Sequence, residues 1–167
     1  MPPVSEAHSA AIIELLPRLR RFARALAGNV SDADDLLQIS IERALARSEQ
    51  LREGAPLAGW MFGIVRNAWI DEARARARRR RVFVPEELGE QVADPNSTQA
   101  QMLPVQQAME RLPDEQREVI GLVLIEGLSY REAADIVGVP VGTITSRLAR
   151  GREALQIMLG GIEQELS

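Results

Sequence analysis

The chain has 167 residues, of which 46% are hydrophobic and 26% charged, a composition typical of a globular protein with one domain or two small ones. It contains no Cys and a single His8 without a partner His or a nucleophile pattern, so we expect no disulfide, no metal, no cofactor and no catalytic site. No apolar run reaches the roughly 20 residues of a membrane span and the N-terminus lacks the basic start of a secretory signal, so we expect a cytoplasmic protein without a membrane partner.

The charge is distributed unevenly along the chain. The net charge of -4 argues against a generic nucleic-acid binder. However, residues 1–81 contain 14 Arg against 10 acidic residues, whereas residues 82–112 contain one Arg against five and residues 113–167 contain five against nine. The positive charge is therefore concentrated in the first half, and all of it is arginine, which suits contacts to phosphates and bases.

A first helix is predicted to end at Gly28, because glycine tolerates the left-handed conformation at a helix end. Pro17 is expected either in the first turn of this helix or at a kink. The apolar positions that recur at helical spacing are Leu15, Leu16, Leu19, Phe22, Ala23 and Leu26.

A second helix is predicted from a cap at Ser31 or Asp32 to Arg47. Aspartates in its first turn complement the positive end of the helix dipole, which explains them more simply than a metal site does. Ile39 breaks the apolar stripe toward the polar side, where an exposed apolar patch could meet a partner. The stripe itself consists of Leu36, Leu37, Ile41, Ala44 and Leu45.

A long third helix is predicted over residues 56–81. Its first half is strongly apolar and aromatic, and its end is a run of arginines that is either a solvated helix end or a site for anions. An arginine-rich face beside an aromatic core favours single-stranded nucleic acid over a membrane. The polar residues that share this face, at spacings of four, three and four, are Asn67, Asp71, Arg74 and Arg78.

Residues 82–102 are acidic, carry prolines and show little periodicity, so they are predicted to be a flexible linker. The chain is therefore predicted to be all-α, with two small helical domains, residues 1–81 and 103–167. In the second domain, helical patterns resume at Leu103 and again at Pro113, and Gly127 is expected to end the second of them. The first of these patterns runs through Val105, Ala108, Met109 and Leu112. The residues of the second that are expected to be buried are Val119, Ile120, Leu122, Val123 and Leu124.

The range 129–155 has the pattern of a helix-turn-helix. Ser129 and Glu132 match a capping box, Gly138 suits a helix end, and Pro140 suits the first turn of the next helix. The second helix would bury Val141, Ile144, Leu148 and Leu155. Its opposite face would carry hydroxyls and guanidinium groups that can bind bases and phosphates in a major groove; the alternative is an ordinary helical hairpin with a solvated face. The residues of that face are Thr143, Ser146, Arg147 and Arg150.

Three segments resemble those of a known family, the extracytoplasmic-function sigma factors, which are the minimal two-domain promoter-recognition subunits of bacterial RNA polymerase. DADDLLQISIERALA, residues 32–46, resembles the region that docks on the clamp helices of the polymerase β′ subunit. GWMFGIVRNAWIDEARARARR, residues 59–79, is similar to the segment that melts and reads the minus 10 element. Residues 112–155, which contain LPDEQREVI and GVPVGTITSR, resemble the domain that reads the minus 35 element.

The resemblance implies roles for residues at matching positions. The residues at the positions that dock on the polymerase are Asp35, Leu36, Gln38 and Arg43. The residues at the positions that bind the minus 10 element are Asn67, which would contact a flipped base, Asp71, Arg74 and Arg78. The residues at the positions that bind the minus 35 element are Thr143, Ser146, Arg147 and Arg150. The chain departs from the family pattern at Ile39, where an acidic residue is usual, and at Thr145, where a basic residue is usual.

The sequences of these segments most resemble those of the general-stress-response group of the family. Members of that group are held by an anti-sigma protein and released by a sigma-mimicking response regulator. The resemblance thus implies core RNA polymerase, promoter DNA and an anti-sigma factor as partners. We further hypothesise that the linker lets the two domains close on each other when a partner binds. Two alternatives remain: a sigma-like decoy that occupies an anti-sigma factor, and a stand-alone helix-turn-helix regulator that binds operators as a dimer.

Overall fold

The computed structural model describes residues 6–51, 54–82 and 104–166, and the predicted linker lies outside these ranges except for residue 82. The described ranges contain helices and no strand, which confirms the all-α prediction. A 3-10 turn, Ser48–Gln50, follows α2, and a π-helical turn, Gly121–Ile125, continues α5. The α-helices are α1 (Glu6–Ala27), α2 (Val30–Ala46), α3 (Leu57–Val82), α4 (Pro104–Arg111), α5 (Asp114–Ile120), α6 (Tyr130–Val137) and α7 (Val141–Leu166).

The first two helices begin earlier than the sequence pattern indicated. Because α1 begins at Glu6, Pro17 lies in its interior, so of its two predicted places, the first turn or a kink, the first turn is wrong. Gly28 ends α1 with φ 85°, as predicted. The cap of α2 is Asn29 instead of Ser31 or Asp32: its Oδ1 accepts a hydrogen bond from the Asp32 backbone N at 2.8 Å, which leaves Asp32 in the first turn.

The predicted capping box of α6 is present. The Glu132 backbone N donates to Ser129 Oγ and the Ser129 backbone N donates to Glu132 Oε1, both at 3.1 Å. The hydrogen bond that the Ser129 backbone N donates to the carboxylate, followed by one from the Ser129 side chain, holds the pKa of Glu132 below its usual value, because both favour the ionised form. Gly138 ends α6 with φ 78°, also as predicted. Pro140 precedes α7, where its carbonyl accepts from the Thr143 backbone N at 3.0 Å.

We expect Ser129→Ala to lower the free energy of unfolding by about 1 kcal/mol, since it removes a cap. Because the folded-state pKa of Glu132 is lowered, its stabilising contribution is complete above the ordinary Glu pKa and is lost as the pH falls through the folded value. Urea unfolding at neutral and acidic pH should therefore show a Glu132→Gln deficit that disappears in acid. Ser146→Ala, an exposed control on α7, should change stability by less than about 0.5 kcal/mol. A deficit of equal size at both pH values would contradict the assignment.

The core is one hydrophobic cluster to which both halves of the chain contribute. Phe22 of α1 and Phe62 of α3 meet edge to face, with ring centroids 5.4 Å apart and an interplanar angle of 86°. Phe22 also faces Gly121, where a Cβ atom would come within 3.0 Å of the ring. The other fully buried large apolar side chains are Leu19, Leu26, Met61, Val65, Val119, Leu122, Ile144 and Leu148.

Four apolar residues that the sequence places in helical apolar patterns are exposed: Leu45, Val105, Leu124 and Val141. Three of them lie in the first or last two positions of their helices, beyond the part that packs on a neighbour. The fourth, Leu124, lies in the π-helical turn, whose wider spacing moves side chains off the 3.6-residue period. In the part of the chain that the structure describes, no helix combines the length and the apolarity needed to cross a membrane.

Candidate nucleic-acid and polymerase interface

One face of α3 carries the polar residues predicted to bind the minus 10 element. Their neighbours Ile64, Val65 and Ala68 are buried in the core, which fixes the rotation of the helix. The opposite face is consequently directed to solvent, and all four predicted residues are exposed along it: Asn67, Asp71, Arg74 and Arg78. A helix face with one amide, one carboxylate and two guanidinium groups can hydrogen-bond bases and pair with phosphates.

The predicted docking segment lies on α2, beside α3. Asp35 and Gln38 are exposed, whereas Leu36 is buried in the core and so can support this surface only from beneath. Arg43 donates from Nη1 to Asp71 Oδ2 of α3 at 2.8 Å, so a residue of the predicted docking site pairs with one of the predicted DNA-binding face. The two predicted sites are therefore adjacent surfaces.

A cavity of about 630 Å³ opens between α2, the second half of α3 and the start of α5. Ile39 lines this cavity together with Trp69 and Gln38. Ile39 is only half-buried and packs on the edge of the core, so an apolar side chain lies open to the cavity where a partner could reach it.

The predicted minus 35 face lies on α7. Ser146 and Arg150 are exposed and Thr143 is half-buried. Arg147 is only 22% exposed, because its guanidinium leans toward α5, with Nη1 3.9 Å from Glu118 Oε1. The expectation that all four residues point away from the protein is therefore wrong for Arg147. Thr145, the departure from the family pattern, is exposed and donates to the Val141 carbonyl at 3.1 Å.

Two residues that the sequence did not single out connect the two faces. Arg66, beside Asn67 on α3, donates from Nε to Glu118 Oε2 at 2.9 Å, and from Nη1 to Asn67 Oδ1 at 3.4 Å. Glu118 is buried and also faces Arg147. A continuous set of polar contacts thus joins Asn67 to Arg147. No sequence signal indicated it, because Glu118 meets Arg66 only through the tertiary fold.

A second cavity, of about 480 Å³, lies between α3 and α6. Asn67, Trp60 and Gly63 line it from α3, while Glu132 and Asp135 line it from α6. The predicted base-contacting residue therefore faces two carboxylates across this space.

Comparison with known proteins matches both halves of the chain to sigma factors. Residues 102–155 match the family model "Sigma-70, region 4", and residues 12–66 match "Sigma2 domain of PhyR". The chain is 36% identical over 170 residues to the ECF RNA polymerase sigma factor EcfG of Rhodopseudomonas palustris, an alignment that covers 94% of this chain and 87% of the relative. It is 38% identical over 145 residues to the ECF RNA polymerase sigma factor SigE of Mycolicibacterium smegmatis, covering 83% of this chain and 56% of that relative.

A solved structure has a similar fold. The sigma factor RpoE of Bartonella quintana, crystallised in complex with the anti-sigma factor NepR, superimposes with a TM-score of 0.77 at 30% identity. The match covers 91% of this chain and 96% of that one. The similarity thus extends over both halves of the fold.

Proposed function

Because the chain belongs to the extracytoplasmic-function RNA polymerase sigma factors, which direct promoter-specific transcription initiation, we propose that its two halves are promoter-reading domains that bind different promoter elements. The first domain is residues 1–81 and the second is residues 103–167, with residues 82–102 as the linker. The observation that carries this proposal is the polar face of α3, which presents Asn67 and two arginines to solvent directly above the apolar core.

The α3 face is proposed to hold the opened minus 10 element. Flipping a base out of the duplex costs a few kcal/mol, which contacts to the base and the strand must offset. Asn67 supplies an amide that can donate to and accept from a base edge, while Arg74 and Arg78 bind the backbone on either side. Asp71 orients Arg43 through their ion pair, so it contributes to the docking surface as well as to this face.

The second domain is proposed to read the minus 35 element in duplex DNA. Arg150 is the exposed guanidinium best placed on α7 for a bidentate contact to a guanine, which is worth about 1–3 kcal/mol of discrimination. Ser146 and Thr143 add hydroxyl contacts. Arg147 adds a further contact to the DNA once its guanidinium moves away from Glu118.

The core polymerase is proposed to supply catalysis and most of the non-specific affinity for DNA, while this subunit supplies specificity. Phosphate-driven affinity scales with the number of basic contacts and falls with salt, so a chain with a net charge of -4 should bind DNA weakly alone. The family is not an enzyme family, in keeping with this division. Docking uses Asp35, Gln38 and Arg43, with Leu36 beneath them.

The chain is further proposed to act in the cytoplasm and to belong to the general-stress-response group. The similarity to EcfG and to the Sigma2 domain of PhyR supports this subgroup. An anti-sigma factor is then a partner, as NepR is for the Bartonella protein. The half-buried Ile39 beside the docking residues is a candidate contact for it.

Run-off transcription with purified bacterial core polymerase on a promoter library tests this function. We expect specific initiation, and we expect Arg150→Ala to reduce it by roughly 5- to 150-fold on promoters that depend on the minus 35 element, as the loss of one bidentate contact implies. Arg152→Ala, an exposed neighbour on α7 with no proposed contact, should retain activity. A folded protein that initiates nowhere would favour the decoy, whereas binding to a palindromic site without polymerase would favour the stand-alone regulator.

A further inference from the structure

Asp71 is the acidic member of the predicted minus 10 face of α3. It lies between Asn67 and Arg74 on this face, roughly 6 Å along the helix axis from the first and roughly 4.5 Å from the second. In the part of the chain that the structure describes, Arg74 and Arg78 have no carboxylate within 4 Å, so their charges are available to phosphates. Asp71 would oppose a strand held by these groups, because a phosphate and a carboxylate repel each other.

A cation from α2 compensates this carboxylate. Arg43 donates from Nη1 to Asp71 Oδ2 at 2.8 Å, and among the described residues it is the cation that lies within 4 Å of Asp71. Ala44, next to Arg43, and Ala68, three residues before Asp71, are both buried in the core. The packing of α2 and α3 therefore directs the two charged side chains to the same rim, and the core of the first half fixes the ion pair.

Arg43 is held more firmly than a solvated surface arginine. Its side chain is only 30% exposed, whereas that of Asp71 is 55% exposed. It lies in the last turn of α2, where the negative end of the helix dipole favours a cation. A guanidinium has five N–H donors, of which one contacts Asp71, so the ion pair leaves donors of Arg43 for the polymerase.

The neighbouring carboxylate, Glu72, has partners of a different kind. It accepts from Arg79 at 3.1 Å and lies 3.8 Å from Arg76, and both arginines belong to its own helix. Glu72 lines the cavity beside α2 and α5, away from the face that carries Asn67. Arg43 is thus supplied by another helix to the carboxylate that a DNA strand would meet.

We propose that Arg43 is a positioning residue for the minus 10 strand: it neutralises Asp71, so that a single strand can pass from Asn67 to Arg74 without meeting an uncompensated carboxylate. This role rests on the proposed function of the α3 face and is added to the contact of Arg43 with the polymerase. Asp71 itself makes no contact with the strand and instead holds the guanidinium at the face. If Arg43 is lost, the carboxylate remains and repels the strand. If Asp71 is lost as well, no charge remains to be neutralised.

A double-mutant cycle on strand binding tests this role. The affinity of the full-length chain for a fluorescein-labelled random 12-nucleotide strand is measured by anisotropy at low salt, because the repulsion is independent of base sequence and is screened by salt. We expect Arg43→Ala to weaken binding at least fivefold and Asp71→Asn to bind at least as tightly as wild type. The double variant should return to within twofold of Asp71→Asn, since Arg43 is not held at the face without Asp71.

Two further variants control for the change of charge. Arg43→Lys keeps the cation and should bind the strand within twofold of wild type. Arg20→Ala removes an exposed arginine of α1, the same change of charge at a site with no proposed contact, and should also stay within twofold. Arg43→Ala should retain wild-type helicity by circular dichroism, because a partly exposed ion pair contributes little to stability.

The rescue separates this role from a structural one. Arg43→Ala and the double variant lack the same ion pair, so a structural pair would weaken strand binding equally in both. An equal loss from Arg43→Ala in the wild-type and Asp71→Asn backgrounds, or weaker binding by Asp71→Asn alone, would overturn the role, because Arg43 or Asp71 would then contact the strand itself. A folded wild-type chain that binds no strand at low salt would instead overturn the proposed function of the α3 face, and the role of Arg43 with it.

Discussion

Phe22→Ala is expected to lower the free energy of unfolding by about 3–5 kcal/mol, as large aromatic truncations in a packed core do. Phe22 is fully buried, stacks edge to face on Phe62 and closes against Gly121 of the second half. Its removal leaves a cavity at the junction of α1, α3 and the π-helical turn.

Urea unfolding followed by circular dichroism measures this loss. Ile13→Ala is the matched control, since Ile13 lies on the same helix but is 64% exposed, and it should change stability by less than about 0.5 kcal/mol. Phe22→Leu should cost much less than Phe22→Ala, because it keeps most of the apolar volume. A loss below about 1 kcal/mol for Phe22→Ala would mean that the halves do not pack around this ring in solution.

Arg117→Ala is expected to cost about 2–4 kcal/mol through lost hydrogen bonds, each of which is worth about 1.5–3 kcal/mol when one partner is charged. The Arg117 side chain is 13% exposed and donates to three carbonyls at the end of α4, those of Met109 at 2.8 Å, Glu110 at 2.8 Å and Leu112 at 2.8 Å. It also donates to the Leu26 carbonyl of α1 at 3.1 Å. The expected loss is smaller than the sum of the four bonds, because water can reach some of the freed carbonyls.

The same unfolding measurement applies, with Arg111→Ala as the control. Arg111 is an exposed arginine at the end of α4, and its loss should change stability by less than about 0.5 kcal/mol. Arg117→Lys should fall between wild type and Arg117→Ala, since an ammonium has three donors and no planar fork to reach four carbonyls. If Arg117→Ala behaves like Arg111→Ala, the capping of α4 by this guanidinium is wrong.

Local features of the fold could be predicted from the sequence because their causes lie within a few residues. Gly28 and Gly138 mark helix ends by their tolerance of positive φ, and Ser129 and Glu132 cap α6 through contacts three residues apart. Even here, adjacent polar residues compete: Asn29 caps α2 although Ser31 and Asp32 had the same chemistry. The candidate DNA-binding face of α3 could be predicted for the same reason, since helical spacing alone places its four residues together.

Burial was predicted less well, because it depends on which other helix lies opposite. The apolar stripes located most of the core but included Leu45 and Leu124, which are exposed. An apolar stripe shows which side of a helix is buried, but it does not show how far along the helix the neighbouring helix extends. The π-helical turn after α5 further displaced Leu124, and no sequence pattern had indicated that turn.

The sequence by itself determined the helices, most of their ends, the two sets of candidate DNA-binding residues and, through resemblance, the family. Only the tertiary structure decided which of the other charged residues are buried and with which partners they pair. Glu118 and Glu126 have the same chemistry as any surface glutamate, and they become buried ion-pair partners because residues 52 to 108 positions away along the chain supply the arginines. Arg117 and Arg147 differ in the same way from arginines that face solvent. Short-range order is set by local hydrogen bonds, whereas the partner of a charge is set by which distant surfaces come together when the apolar core closes.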